Sequence, residues 1–522
     1  MIRRAAGLVA AGLVAASGAA GAASEPRSAI PWLSESIRTD VPAPPPRPAE
    51  PAPTRGSEEI TVTPLGTVRR DSVGLLPPER SGLPRALWGP TPTGQAESLI
   101  RDHPDAGVPA ARALFRRILL AETDPPQPAA ADGALLVARV DRLLEIGALE
   151  EARALIELAG PETPELFRRW FDVGLLLDAA AAPCDALRQN PALSPTLPAR
   201  VFCLARGGDW NAAEITLVVG EDVGSIGADQ QALLARFLDP EIFEGEPNPP
   251  VPEPLTPLDF LMREATGMPR PAGALPTAFL HHDLVEHAPM RARVAAAERL
   301  VLSGGVAPQL LFEAYRAGIP PASGGIWDRA AAVQALDAAL AEGADPATLG
   351  AALLGAEEAL RARGLEVALA REYAPALADA DWSRLDGAAR ERLVAVLLLG
   401  GEAPAAARLA GEAPDAFTRT LLTLAAQGGD PAPATDLQRA ALTGLVAILP
   451  ADEREAQLVR LVNDGRRGEA VLAALSLLEG GATVDPPALH AALLVLRRAG
   501  LEPDARAIAI QSVLRAGAGP AE

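Results

Sequence analysis

The sequence predicts an all-α chain, an α-solenoid of irregular helical hairpins preceded by a disordered proline-rich segment, and three observations predict it. Of the 522 residues 49% are hydrophobic but only 3% are aromatic. The core must then be made of Ala, Leu and Val, which suits packed helices better than sheets built on aromatic and β-branched residues. Apolar positions recur with a helical period through the body, and 15 of the 51 prolines fall in 25–92, where neither helix nor core can form.

The elements follow in chain order. Met1-Ile2-Arg3-Arg4 is a short positive start, Ala5 to Ala19 is an uncharged apolar run, and Ala20-Gly21-Ala22 supplies small residues. These are the three parts of a secretory signal peptide, expected over 1–22. Residues 23–92 read as a proline-rich arm, with Pro42-Ala43-Pro44-Pro45-Pro46 at its centre. Within it, Ile30-Pro31-Trp32-Leu33 and Leu83-Pro84-Arg85-Ala86-Leu87-Trp88 carry apolar residues at spacings that one helical turn aligns. Trp32, Leu33, Leu87 and Trp88 are therefore candidate docking residues, for a partner groove or for the protein's own body.

The helical body is expected over 93–240. Leu136, Val140, Leu143 and Leu144 make an amphipathic stripe stopped at Gly147, and Leu149, Ala152, Ile156 and Ala159 start another after a very short turn. This is a helical hairpin. Its pattern, L-x3-G-x4-A, occurs at Leu143-Gly147-Ala152, Leu204-Gly208-Ala213, Leu397-Gly401-Ala406, Leu461-Gly465-Ala470 and Leu496-Gly500-Ala505. Glycine permits the left-handed residue that ends one helix, and the small alanine lets the next approach closely. In this the chain resembles the tetratricopeptide repeat, whose helical pairs turn at a glycine and carry a small alanine five residues later. Gly208-Asp209-Trp210-Asn211-Ala212-Ala213 is most similar, and Gly465 to Gly500 spans 35 residues, close to that repeat's length of about 34. Other intervals, such as 61 from Gly147 to Gly208, depart from it. The resemblance implies a degenerate repeat array.

Prolines crowd again over 241–257, at Pro247, Pro249, Pro250, Pro252 and Pro254, marking a linker before a second helical unit over 258–518. The chain has no lysine, so all 47 basic residues are arginine against 67 acids. That excludes lysine-dependent phosphate loops and Schiff-base chemistry. The net charge of −20 argues against a nucleic-acid partner. After removal of the signal segment and the neutral arm, 37 arginines face 59 acids, so all the excess, −22, lies on the helical body.

Cys184 and Cys203 lie in neighbouring expected helices, and an exported chain with two cysteines pairs them. Three of the five histidines crowd into His281-His282-Asp283-Leu284-Val285-Glu286-His287. On a helix, His282, Glu286 and His287 would approach one another and make a weak candidate metal site, similar to H-x-x-E-H zinc peptidases but with Asp283 in place of the first histidine. Arg168, Arg169 and Trp170 combine the residue types that dominate interface hot spots. No serine-nucleophile elbow is present. The expectation is a non-catalytic periplasmic or secreted scaffold that needs no cofactor and binds a protein or peptide, with no transmembrane span after signal removal. A cell-wall or peptide hydrolase is the alternative from another class, and a motility or envelope-assembly factor acting through its arm is the third.

Overall fold

The structure, a computed structural model, describes residues 69–517 apart from short breaks at 128–131, 194–195, 272, 322, 383–384, 386 and 427–429. The expected signal segment and the candidates Trp32 and Leu33 lie outside the described residues. Among these, the chain is all-helical, with one isolated bridge between Leu76 and Ala121.

A short helix α1 (Pro78–Ser81) leads to α2 (Thr93–Arg101) and α3 (Pro109–Leu120). The first half continues through α4 (Ala134–Ile146), α5 (Leu149–Ala159), α6 (Pro164–Leu176), α7 (Ala181–Gln189), α8 (Leu197–Arg206), α9 (Trp210–Asp222), α10 (Ala228–Leu238) and α11 (Pro257–Ala265). After a 3-10 segment at Thr277–Asp283, the second half runs α12 (Met290–Ser303), α13 (Pro308–Arg316), α14 (Ile326–Ala341), α15 (Pro346–Arg361) and α16 (Glu366–Ala378). It ends with α17 (Gly387–Gly400), α18 (Ala403–Ala410), α19 (Ala416–Ala425), α20 (Asp436–Val446), α21 (Glu453–Asn463), α22 (Arg467–Ser476), α23 (Pro486–Arg498) and α24 (Glu502–Gly517).

All five L-x3-G-x4-A segments turn between consecutive helices, and all do so by the same hydrogen bonds. Gly147, Gly208, Gly401, Gly465 and Gly500 have φ of 80°, 85°, 91°, 80° and 86°. The residue after each glycine donates its N–H to the carbonyl of the motif leucine, as Ala148 does to Leu143 at 2.7 Å and Leu501 to Leu496 at 2.8 Å. That six-to-one bond closes a Schellman cap. The same residue then accepts from the motif alanine, as Asp209 does from Ala213 at 3.1 Å, so the residue that closes one helix opens the next. All five alanines are fully buried, because the helices meet there too closely for a larger side chain.

The arm expected over 23–92 gives way by residue 69 to a strap that is built into the body. Asp71 accepts from the N–H of Leu136 at 2.9 Å and so caps α4. Arg139, 2% exposed, donates to the carbonyls of Val73, Leu119 and Ala121 at 2.7–3.0 Å, tying strap, α3 and α4 together. Burial pulls its guanidinium down to about 10. Leu87 and Trp88, candidates for a partner groove or for the body, are buried in the body: Gly468 donates to the Leu87 carbonyl at 2.7 Å, and the Trp88 ring lies where a Cβ on Gly468 would sit.

The two ends of the array also meet. α2 packs on α22 and α3 on α24, with Ala110 N–H donating to Gln511 Oε1 at 2.7 Å and Arg117 paired to Asp504 at 2.6 Å. Residues 241–257 are irregular up to Pro257, which starts α11. They are held by Arg236 to the Pro247 carbonyl (2.7 Å) and by Arg263 to that of Pro249 (3.1 Å).

Candidate functional site

Cys184 on α7 and Cys203 on α8 form a disulfide. It staples the part of the chain that leads into α9.

The histidine segment does not form the helix that its metal reading requires. Residues 277–283 are 3-10, and Glu286 and His287 sit in an exposed turn. His281 is buried with Nε2 2.6 Å from the carbonyl of Gly147, and burial lowers its pKa. His282 lies edge-on to Phe260 and 3.6 Å from Glu264, not beside Glu286. Asp283 pairs with Arg270 at 2.7 Å. Among the described residues no group of three His, Cys, Asp or Glu side chains is gathered to hold a metal ion. The segment instead docks the turn at Gly147 onto the second half. Ser303 donates to the Ile146 carbonyl at 2.7 Å, and a Cβ on Gly305 would overlap that same carbonyl.

Arg168, Arg169 and Trp170 are interior residues and not a surface anchor. Arg169 makes a two-pronged pair with Asp141 at 2.6 and 2.9 Å, and Trp170 Nε1 donates to Glu157 at 3.0 Å. Arg168 Nε lies 3.0 Å from Asp172 Oδ2, out of hydrogen-bond alignment. Asp172 is completely buried, and the burial pushes its carboxyl up to about 6 against the pull of Arg168 and Arg169. Hot-spot residue types serve equally well to fill a core where their polar ends find partners.

A cavity of about 290 Å³ lies among α15, α17, α19 and α24, walled by Val396, Leu399, Phe417 and Leu421. Its rim is already neutralised: Arg361 and Arg392 both pair with Glu357, and Arg515 pairs with Glu366 at 3.3 Å. Nothing in that rim asks for a charged ligand.

The outer face of α9 is different. Asp209 caps the helix by accepting from the Ala212 N–H at 3.2 Å. Ala213, Leu217 and Gly220, at i, i+4 and i+7, face α8 and α10; a Cβ on Gly220 would stand 2.6 Å from Ile226 Cδ1. Successive residues turn by about 100°, so Ile215, Val218, Val219 and Val223 fall on the opposite side. They are 64%, 50%, 51% and 68% exposed. Trp210, half exposed, stands at the first turn with its ring 6.5 Å from that of Phe237. An apolar stripe of this kind in water is a candidate interaction surface.

The sequence did contain a signal for this face. α9 carries two apolar stripes, and a helix apolar on both sides needs covering on both; only the Ala213 stripe belongs to the hairpin pattern. No family model matches the chain, and no curated protein or solved structure matches it.

Proposed function

We propose that this protein is a non-catalytic adaptor of an oxidising compartment, the periplasm or the outside of the cell, in which a degenerate tetratricopeptide-like array of hairpins presents a docking face to a protein or peptide. The single observation that carries this reading is the uncovered apolar stripe of α9. Its four aliphatic residues are each at least half exposed, while nearly every other long apolar stripe of the array is buried. The compartment rests on the Cys184–Cys203 disulfide and the N-terminal export signature. Among the described residues no helix is long and apolar enough to cross a membrane.

A photo-crosslinking residue placed at Val219, in cells that make the protein, tests the reading. A captured protein that is lost when Val218→Asn and Val219→Asn are introduced, with the fold intact by circular dichroism, supports it. Equal capture from Val219 and from an exposed polar position such as Glu358 refutes it.

A further inference from the structure

The acidic residues around α9 identify the chemistry of what covers it. Over 207–235 the chain has five acids, Asp209, Glu214, Glu221, Asp222 and Asp229, and no basic residue. All five are exposed, and among the described residues none is in an ion pair, whereas acids on many other helices pair with arginine. Glu214 and Glu221 are seven residues, or two turns, apart along one edge of the apolar stripe, and Asp222 lies within its C-terminal end. An apolar stripe one helix long, edged by unmatched negative charge, is complementary to a second helix with its own apolar stripe flanked by cations.

Resting on the adaptor reading, we propose that α9 binds an amphipathic, basic helix of a partner protein. Ile215, Val218, Val219 and Val223 form the apolar contact, and Glu214, Glu221 and Asp222 receive arginine or lysine side chains. A second copy of this chain is a poor occupant: each copy has a net charge of −20, and pairing α9 with α9 brings two unmatched acidic edges together. The apolar island Ile30 to Ile37 of the same chain sits among two arginines, Arg27 and Arg38, and three acids, Glu25, Glu35 and Asp40, and so carries no net positive charge.

The test uses the full chain and an 18-residue synthetic peptide with Leu at i, i+3, i+4 and i+7 and Arg at the flanking positions. Two controls accompany it, one with Glu replacing every Arg and one with the same composition but the leucines scattered. Fluorescence anisotropy is expected to show both controls binding at least tenfold more weakly. Val218→Asn with Val219→Asn is expected to weaken the basic amphipathic peptide at least tenfold. Glu214→Gln, Glu221→Gln and Asp222→Asn together should remove most of its salt dependence between 50 and 300 mM. Equal binding of either control overturns the proposal. So does self-association of the wild-type chain that the two asparagines abolish, or a tenfold gain in peptide affinity on Trp32→Ser with Leu33→Ser. Capture at Val219 of a partner through an acidic or non-helical segment also overturns it, yet leaves the adaptor reading standing; absence of any specific capture removes both.

Discussion

Two helices of this molecule start from the same turn and end in opposite surroundings. α9 and α24 are each the second helix of an L-x3-G-x4-A hairpin, entered through Gly208 and Gly500 with φ of 85° and 86° and anchored by fully buried Ala213 and Ala505. α24 is enclosed by α3, α17, α19, α20 and α23, and Ile508, Ala509, Ile510 and Val513 are buried. α9 packs on α8 and α10, and its outer aliphatic stripe faces water. The hairpin turn is thus a local device: it fixes how two helices meet and says nothing of what covers the second. Coverage of α24 comes from elsewhere in the sequence, from α3 near the other end of the described chain and from α17, α19 and α20.

The two tryptophans that accompany these regions should separate them most sharply. Trp88, 2% exposed, wedges the strap against Gly468, whereas Trp210 at the start of α9 is 50% exposed. Trp88→Ala is expected to cost about 3–5 kcal/mol of unfolding free energy, and Trp210→Ala less than about 1 kcal/mol. Urea unfolding of both variants measures this. Similar losses would mean that the outer side of α9 is covered in the free protein.

The less covered half has a covalent substitute for packing. With a sequence separation of 19, the disulfide under α9 contributes about 3 kcal/mol in the chain-entropy model. Cys184→Ser with Cys203→Ser should lower stability by about that amount and raise hydrogen exchange first in α7 to α9. Uniform loosening that includes α24 would show the two halves to be one cooperative unit.

How far the sequence foretold this structure depends on the range of the interaction concerned. The hairpins at Gly147, Gly208, Gly401, Gly465 and Gly500 were legible because a Schellman cap is written in adjacent residues. Gly224, Gly267, Gly304, Gly343 and Gly364 also have positive φ, with the following residue bonded six-to-one to the helix before it. Those turns lack the paired leucine and alanine, so the pattern passed them over. The strap is not the disordered arm its composition predicts, because its prolines preclude a long helix without precluding burial: outside the one-turn α1, Leu83, Leu87 and Trp88 pack as irregular chain. The histidine segment does not gather a metal site because the 3-10 winding stops at Asp283 and Glu286 and His287 lie in the exposed turn beyond it, away from a helical i, i+4, i+5 register with His282. The second apolar stripe of α9 is visible in the sequence, but that it stays uncovered is not, since a buried and an exposed aliphatic read alike until the neighbours are known.

The motif glycines themselves sharpen the contrast between a turn that is only a turn and one that is also a contact. A Cβ on Gly208 would meet nothing within 4 Å, while one on Gly147 would stand 2.5 Å from Leu300 Cδ2 on α12. Gly208→Ala should cost only the left-handed strain, about 1–2 kcal/mol, and Gly147→Ala about 1 kcal/mol more, because overpacking adds to it. Thermal unfolding of the two variants side by side decides it. Equal losses would remove the Gly147 turn as a contact between the halves.

Acidity probes the buried core of the first half. Asp172, with its carboxyl raised to about 6 by burial, holds a proton in the folded state between about pH 4 and 6 that the unfolded chain releases, so its contribution favours folding at low pH and is lost as pH rises through 6. His103, stacked on Phe115 and lowered to about 4 by burial, acts in the opposite sense: its contribution is present above about 6.5 and lost as pH falls through 4. In the native protein the two offset one another between pH 4 and 6. Asp172→Asn leaves the histidine unopposed, so stability should fall more steeply on acidification from pH 7 to 4.5. The slope is the readout, because replacing a fully buried side chain beside Arg168 also shifts the absolute stability.

The smallest expected effect on stability belongs to the residues on which function is proposed to rest. Val219 is about half in water already, so Val219→Asn should change unfolding free energy by no more than about 0.5 kcal/mol. Ile508→Asn on α24 buries an amide among aliphatic side chains and should cost several times as much. A side chain kept apolar for packing shows its loss in unfolding, whereas one kept apolar for a partner shows it only in capture. Val219→Asn should therefore leave the urea midpoint in place and abolish crosslinked product from α9. A large stability loss at Val219 would place that residue with Ile508, as part of a covered core, and return the docking face to some other part of the array.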